Sequence, residues 1–160
     1  MSQPYEEVFA GEMTLRLPPG QRHELICSRL HAVVKAKVEK LSSTRLLAPR
    51  TAVAIAPGTR LCPDLALVTA ASNKLWLAVE IVSSEDHHND TVIKKELYEA
   101  NKVSRLWMVD PRYGNVEVYH ATPYGLALRS ILAGREVLSE ELLPEFALVV
   151  AELFAPESPP

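Results

Sequence analysis

The chain has 160 residues, an ordinary length for one domain. Apolar residues make up 48% and charged residues 23%, which excludes a disordered segment and a fibre. Lys plus Arg is 17 against 20 for Asp plus Glu, a net charge of −3. That balance excludes a strongly basic nucleic-acid coat protein but leaves room for an enzyme with a local basic cleft. Cys27 and Cys62 form no CxxC pair and no zinc knuckle, and they fit a reducing compartment. No run approaches the ~18 apolar residues that span a membrane. The first twelve residues, MSQPYEEVFAGE, are polar and acidic where a signal peptide would be basic and then apolar. The expectation is a cytoplasmic protein without membrane contact.

In chain order, residues 5–17 read as a strand pair broken at Gly11 and closed by Pro18-Pro19-Gly20. Residues 21–41 read as a helix, with Cys27, Leu30, Val34, Val38 and Leu41 forming one apolar stripe. Strands follow over 51–56, stopped by Pro57-Gly58, and over 65–69 and 75–82 around Ala71-Ser72-Asn73. A helix over 91–102 leads to a strand over 105–109, then strands over 116–120 and 126–131 and an apolar closing segment over 146–154. The step from strand 75–82 through a helix to strand 105–109 is a βαβ crossover, so those strands should be parallel neighbours. The short loop before it makes 65–69 and 75–82 antiparallel. These elements predict an α/β domain with a mixed central sheet over residues 1–155, followed by a frayed Pro-rich tail over 156–160.

The run LWLAVEIV is apolar without alternation except at Glu80, the pattern of a strand buried on both faces. A carboxylate there is costly unless it is paired or binds a metal. If the preceding loop is symmetric about Ser72, Asp64 lies directly across from Glu80 on the same face. Two like charges so placed predict that one takes up a proton, or that a divalent cation such as Mg²⁺ removes the conflict. A one-residue slip would break the pair.

A polar loop, Ser83-Ser84-Glu85-Asp86-His87-His88-Asn89-Asp90, follows Glu80 at the carboxyl end of a parallel strand, where open α/β sheets hold ligands. Asp90, Lys94 and Tyr98 follow at i, i+4 and i+8 and line one helical face. The spacing fits an ordinary surface ion pair, or a Lys94 ammonium beside the carboxylates where it orients water and steadies phosphate charge. Neighbouring His87 and His88 cannot both easily face one ion. Cys27, on the apolar stripe, reads as core rather than nucleophile. His23 is either a cap residue or a cleft residue. No GxxxxGK[ST], GxGxxG or GxSxG occurs, which leaves nucleotide-loop and hydrolase-elbow chemistry unsupported.

Taken together, Pro63-Asp64, Glu80-Ile81-Val82-Ser83, Asp90 with Lys94 and Tyr98, and Leu106-Trp107-Met108-Val109-Asp110 resemble the Uma-type restriction-endonuclease family of the PD-(D/E)XK nuclease superfamily. Gly11, the Pro18-Pro19 loop and His23 extend the resemblance over most of the chain. It implies a restriction-endonuclease-like αβββαβ core with an N-terminal hairpin and C-terminal strands. It also implies that Asp64 and Glu80 are metal carboxylates. The superfamily's usual lysine position, two residues after the acid, holds Val82, and the family's helix lysine falls on Lys94. Lys102 and Arg105-Leu106 depart from the family's usual Gly and Glu-Tyr.

The resulting expectation is a Mg²⁺- or Mn²⁺-dependent endonuclease acting on DNA. Asp64, Glu80 and the Ile81 carbonyl would hold the ion, Lys94 would orient the water, and His23, Asp90 and Tyr98 would be accessory. Two rivals stay open: a non-catalytic nuclease-fold module that binds nucleic acid or protein, and a structural dimerisation domain with Asp64 and Glu80 solvated. A homodimer would cover apolar edge surface at 116–120 and 126–131.

Overall fold

A computed structural model describes residues 3–82 and 89–157, without the side chains of Asn89 and Asp90. Strands β1 (Tyr5–Phe9) and β2 (Glu12–Arg16) pair antiparallel from Phe9↔Glu12 outward. Ala10 and Gly11 both have positive φ, 49° and 87°, as a two-residue hairpin loop matching strand twist requires. Helix α1 (Gln21–Val38) buries Cys27, Leu30, Val34 and Val38 of the predicted stripe and also Ile26, and it stops before Leu41.

After α1 come β3 (Thr44–Leu46), β4 (Val53–Ala56) and β5 (Thr59–Leu61). In chain order 51–56 is the first strand after the helix, which the αβββαβ order makes the expected first strand of the central sheet. That apolar run is not beside the central strands. It pairs with β5 and completes a four-stranded sheet ordered β2-β1-β5-β4. The strand that joins the central sheet is β3, only three residues long and interrupted by Arg45, so it carries no period-two signal. Its Thr44 hydroxyl instead accepts the Trp76 indole N–H at 2.8 Å. The Gly11 N–H donates to Gly58 O at 2.7 Å and ties the two hairpins together.

The central sheet continues through β6 (Leu65–Thr69), β7 (Leu75–Ile81), β8 (Arg105–Asp110), β9 (Asn115–Thr122) and β10 (Gly125–Ala133). Its order is β10-β9-β8-β7-β6-β3. β7 and β8 are parallel and the other pairs antiparallel, so the sheet is mixed as expected. The αβββαβ core is therefore α1, β3, β6, β7, α2 (Lys94–Ala100) and β8. Instead of one helix over 91–102, a π-helical turn Asn89–Ile93 runs into α2. The β-branched run Thr91-Val92-Ile93 is poor α-helix material, and such turns recur at functional sites. A small pair, β11 (Val137–Ser139) with β12 (Ala147–Val149), and helix α3 (Val150–Phe154) close the chain.

Both faces of the sheet are covered, which accounts for the uninterrupted burial of β7. One core joins Leu30 and Val34 of α1 with Leu67, Leu77, Trp107 and the closing Phe146 and Leu153; Trp107 stacks on Phe146 at 5.7 Å. The other joins Ala66, Ala78 and Met108 to Tyr98 of α2 and Leu61 of β5. β10 forms one edge of the sheet, where Leu128 and Ile131 are about half exposed (47% and 51%). Among the described residues no helix is long and apolar enough to cross a membrane.

Candidate active site

The β6–β7 register pairs Leu65 with Val79, Ala66 with Ala78 and Leu67 with Leu77. Carried one residue beyond β6, it sets Asp64 across from Glu80. The symmetric-loop expectation therefore holds at the end of the pair that matters, although a bulge between Leu67 and Val68 shifts the register near the loop. Both acids are buried, 3% and 2% exposed, and both line one cleft of about 580 Å³. The reading with two solvated carboxylates fails on that burial.

The structure resolves the charge conflict with cations and donors rather than a proton on Asp64. His23 Nε2 lies 2.8 Å from Asp64 Oδ1, and Arg50 donates to the same oxygen at 3.1 Å. The Ile81 backbone N–H donates to Oδ2 at 2.7 Å. Burial pushes the Asp64 carboxyl up, but the hydrogen bond and charge of His23, the Ile81 N–H and the Lys94 charge together hold it below its usual 3.8. Asp64 is therefore not the acid of the pair that takes up a proton.

The sign of the pH effect follows. A carboxyl depressed in the folded state contributes stability above its unfolded value and loses it as pH falls through the folded one. Asp64→Asn is expected to be less stable than the native protein at neutral pH, with the gap closing below 3.8. Thermal unfolding from neutral pH down to about pH 3 measures it; a gap that widens on acidification would contradict the assignment.

Glu80 is held from α2. Lys94 Nζ donates to Oε1 at 2.9 Å and the Tyr98 hydroxyl to Oε2 at 2.6 Å, the i, i+4 face read from the sequence. Lys94 is 1% exposed and is no surface pair. Burial and then the Glu80 charge push the Tyr98 phenol well above 10.0, so it stays a donor. Of the other predicted residues, His23 and Ile81 line the cleft with Asp64, Glu80 and Lys94. The Asp90 side chain and the His87-His88 pair lie outside the described residues. Cys27 is core, as expected: its Sγ donates to the Asp64 carbonyl at 3.5 Å, and burial pushes the thiol up to about 12.

Sequence reasoning missed two contributors. Glu7 of β1, fully buried, accepts from Arg16 at 2.8 Å and from the Cys62 N–H at 2.8 Å, and lies 3.0 Å from Lys94 Nζ. The lysine is thus shared between Glu7 and Glu80. Arg50 bridges Asp64 and Glu24, reaching Glu24 at 2.7 Å. A weak signal for Glu7 exists, since it alternates with Tyr5 and Phe9 on one strand face. Arg50 sits at φ 58° in a turn and carries no pattern.

Among the described residues, no three His, Cys, Asp or Glu side chains gather to hold an ion. Asp64 and Glu80 nevertheless bring two hard carboxylates to one cleft, and one or two protein carboxylates with several waters is the donor set that Mg²⁺ takes.

The Uma2 family model, described as "Putative restriction endonuclease", matches residues 2–151. No curated protein matches the chain. Among solved structures, the fold is similar to that of a "putative nuclease belonging to DUF820 from Anabaena variabilis ATCC 29413". The TM-score is 0.79 at 15% identity, over 96% of this chain and 91% of the other.

Proposed function

The chain belongs to the Uma2 restriction-endonuclease family, and from that premise we propose that it is a metal-dependent nuclease hydrolysing phosphodiester bonds of DNA. The observation that carries the reading is the joining of Asp64, Glu80 and a buried Lys94 in one cleft. Asp64 and Glu80, with the Ile81 carbonyl beside them, would hold Mg²⁺ or Mn²⁺. Such an ion, when bound, acidifies water and draws charge from phosphoryl oxygens. Lys94, pinned between Glu7 and Glu80, places a fixed positive charge where negative charge develops on the phosphate, and it orients the attacking water. Tyr98 fixes Glu80, while His23 and Arg50 fix Asp64, so the acids need little reorganisation during reaction.

The purified protein is expected to nick or cut DNA in Mg²⁺ or Mn²⁺ and to stop when a chelator removes the ion. Gel assays on plasmid and linear DNA measure this. A protein that binds DNA in Ca²⁺ yet never cuts it in Mg²⁺ or Mn²⁺ would be the non-catalytic module instead.

A further inference from the structure

We infer that the cleft takes an unpaired nucleic-acid strand, with bases against Leu15 and Leu17 and phosphates at Arg22 and Arg112. This rests on the nuclease reading above and names its substrate class.

β2 is an edge strand of the four-stranded sheet. Its alternate positions Met13 and Leu15, and Leu17 just beyond it, are 66%, 65% and 71% exposed. A water-facing strand face is ordinarily polar. This one is aliphatic, and it is not remote from the chemistry. Leu15, Leu17 and Pro18 line the cleft that holds Asp64, Glu80 and Lys94, and the exposed Arg22 and Arg112 line it too. Arg112 donates to Asp110 at 3.1 and 2.8 Å, so an occupant reaching the acids meets the aliphatic residues, the Arg22 guanidinium and the Arg112–Asp110 pair together.

A nucleotide strand does so, because phosphates and apolar base faces alternate along it. In a duplex the base faces are stacked inside, and an aliphatic wall gains nothing from the phosphates and sugars left outside. The cleft volume, about 580 Å³, falls in the range that takes one small organic molecule. That admits a nucleotide step. Single strands are held by a cationic groove beside surfaces that cover base faces; those surfaces are usually aromatic, and here Leu15, Leu17 and Pro18 supply aliphatic cover for a base already unstacked. A single strand, a frayed end or a flap would present such bases.

The test uses the full chain, a fluorescently labelled single-stranded oligonucleotide and its blunt duplex. Binding is read by anisotropy in Ca²⁺ and cleavage in Mn²⁺. The native protein is expected to bind the single strand ~10-fold or more tighter than the duplex, and Leu15→Ser/Leu17→Ser to weaken that binding by a similar factor. Both residues are exposed, so the fold should survive, and Leu128→Ser on the distant β10 edge should change nothing. Strand-selective, Leu15/Leu17-dependent binding without any cleavage in Mn²⁺ would uphold this inference and sink the hydrolytic reading. Cleavage without strand preference, or binding untouched by the double variant, would overturn the inference alone. Binding to neither strand would overturn both. If the double variant turns a dimer into a monomer by light scattering while oligonucleotide binding is unchanged, a second copy of the chain covers β2 and the inference fails.

Discussion

Glu7→Ala is expected to cost about 3–5 kcal/mol of folding stability, the scale seen when one partner of a buried ion pair is removed. Glu7 is 0% exposed, and the side chains of its two cations, Arg16 and Lys94, are each 2% exposed. Its carboxylate also takes the Cys62 backbone N–H. Alanine removes the shared anion from two buried cations and orphans a buried donor at once. The cost is large because the cations cannot easily reach water. Glu7→Gln keeps an acceptor and the volume, so it should fall between the two. Denaturant unfolding with a fixed slope measures the change. A loss below about 1 kcal/mol, the scale of an exposed ion pair, would mean the trio is solvated in solution. The same network bears on interpretation of Lys94 variants, because Lys94 is a structural counter-ion to two acids as well as a candidate catalytic group.

Asp64→Ala, Glu80→Ala and Lys94→Ala should each lower metal-dependent cleavage by ~100-fold or more, the usual loss when a fixed electrostatic donor disappears. Double variants should be barely worse than singles, since the three groups serve one transition state. Unfolding must be checked in parallel. Sequence reasoning expects these alanine variants to leave the fold intact, and Asp64→Ala even to relieve a charge conflict. The structure reverses that expectation for Asp64, whose ionised form is held by His23, Arg50 and the Ile81 N–H. Lys95→Ala is the control. Lys95 points away from the cleft, 3.8 Å from Glu99 and 5.2 Å from the Tyr119 ring centre, and its loss should leave the rate unchanged. Cleavage that survives all three alanine changes would belong to a contaminant.

The legible part of this site is its local part. The β6–β7 register at Asp64 agrees with a symmetric loop only because the bulge between Leu67 and Val68 offsets a one-residue shift beside the loop, whereas the Lys94–Tyr98 face is legible because a helix repeats every 3.6 residues. The anomalous acid in an apolar strand points to Glu80 from the sequence alone. What escaped depends on long-range assembly. Nothing in the chain's periodicity links Glu7 to a lysine 87 positions later, nor Arg50 in its turn to Asp64. The sheet that 51–56 joins escapes for the same reason: an apolar run announces a strand but does not say which sheet it enters. The π-helical turn was invisible because its residues also satisfy a helical pattern.

Anomalous scattering from a crystal soaked in Mn²⁺ tests most directly whether Asp64 and Glu80 jointly hold a divalent ion in the cleft. The expected result is a peak in contact with both carboxylates, lost in Asp64→Ala. A Mn²⁺ peak elsewhere on the molecule, or none in the cleft with both side chains ordered on His23, Arg50, Lys94 and Tyr98 alone, would contradict it.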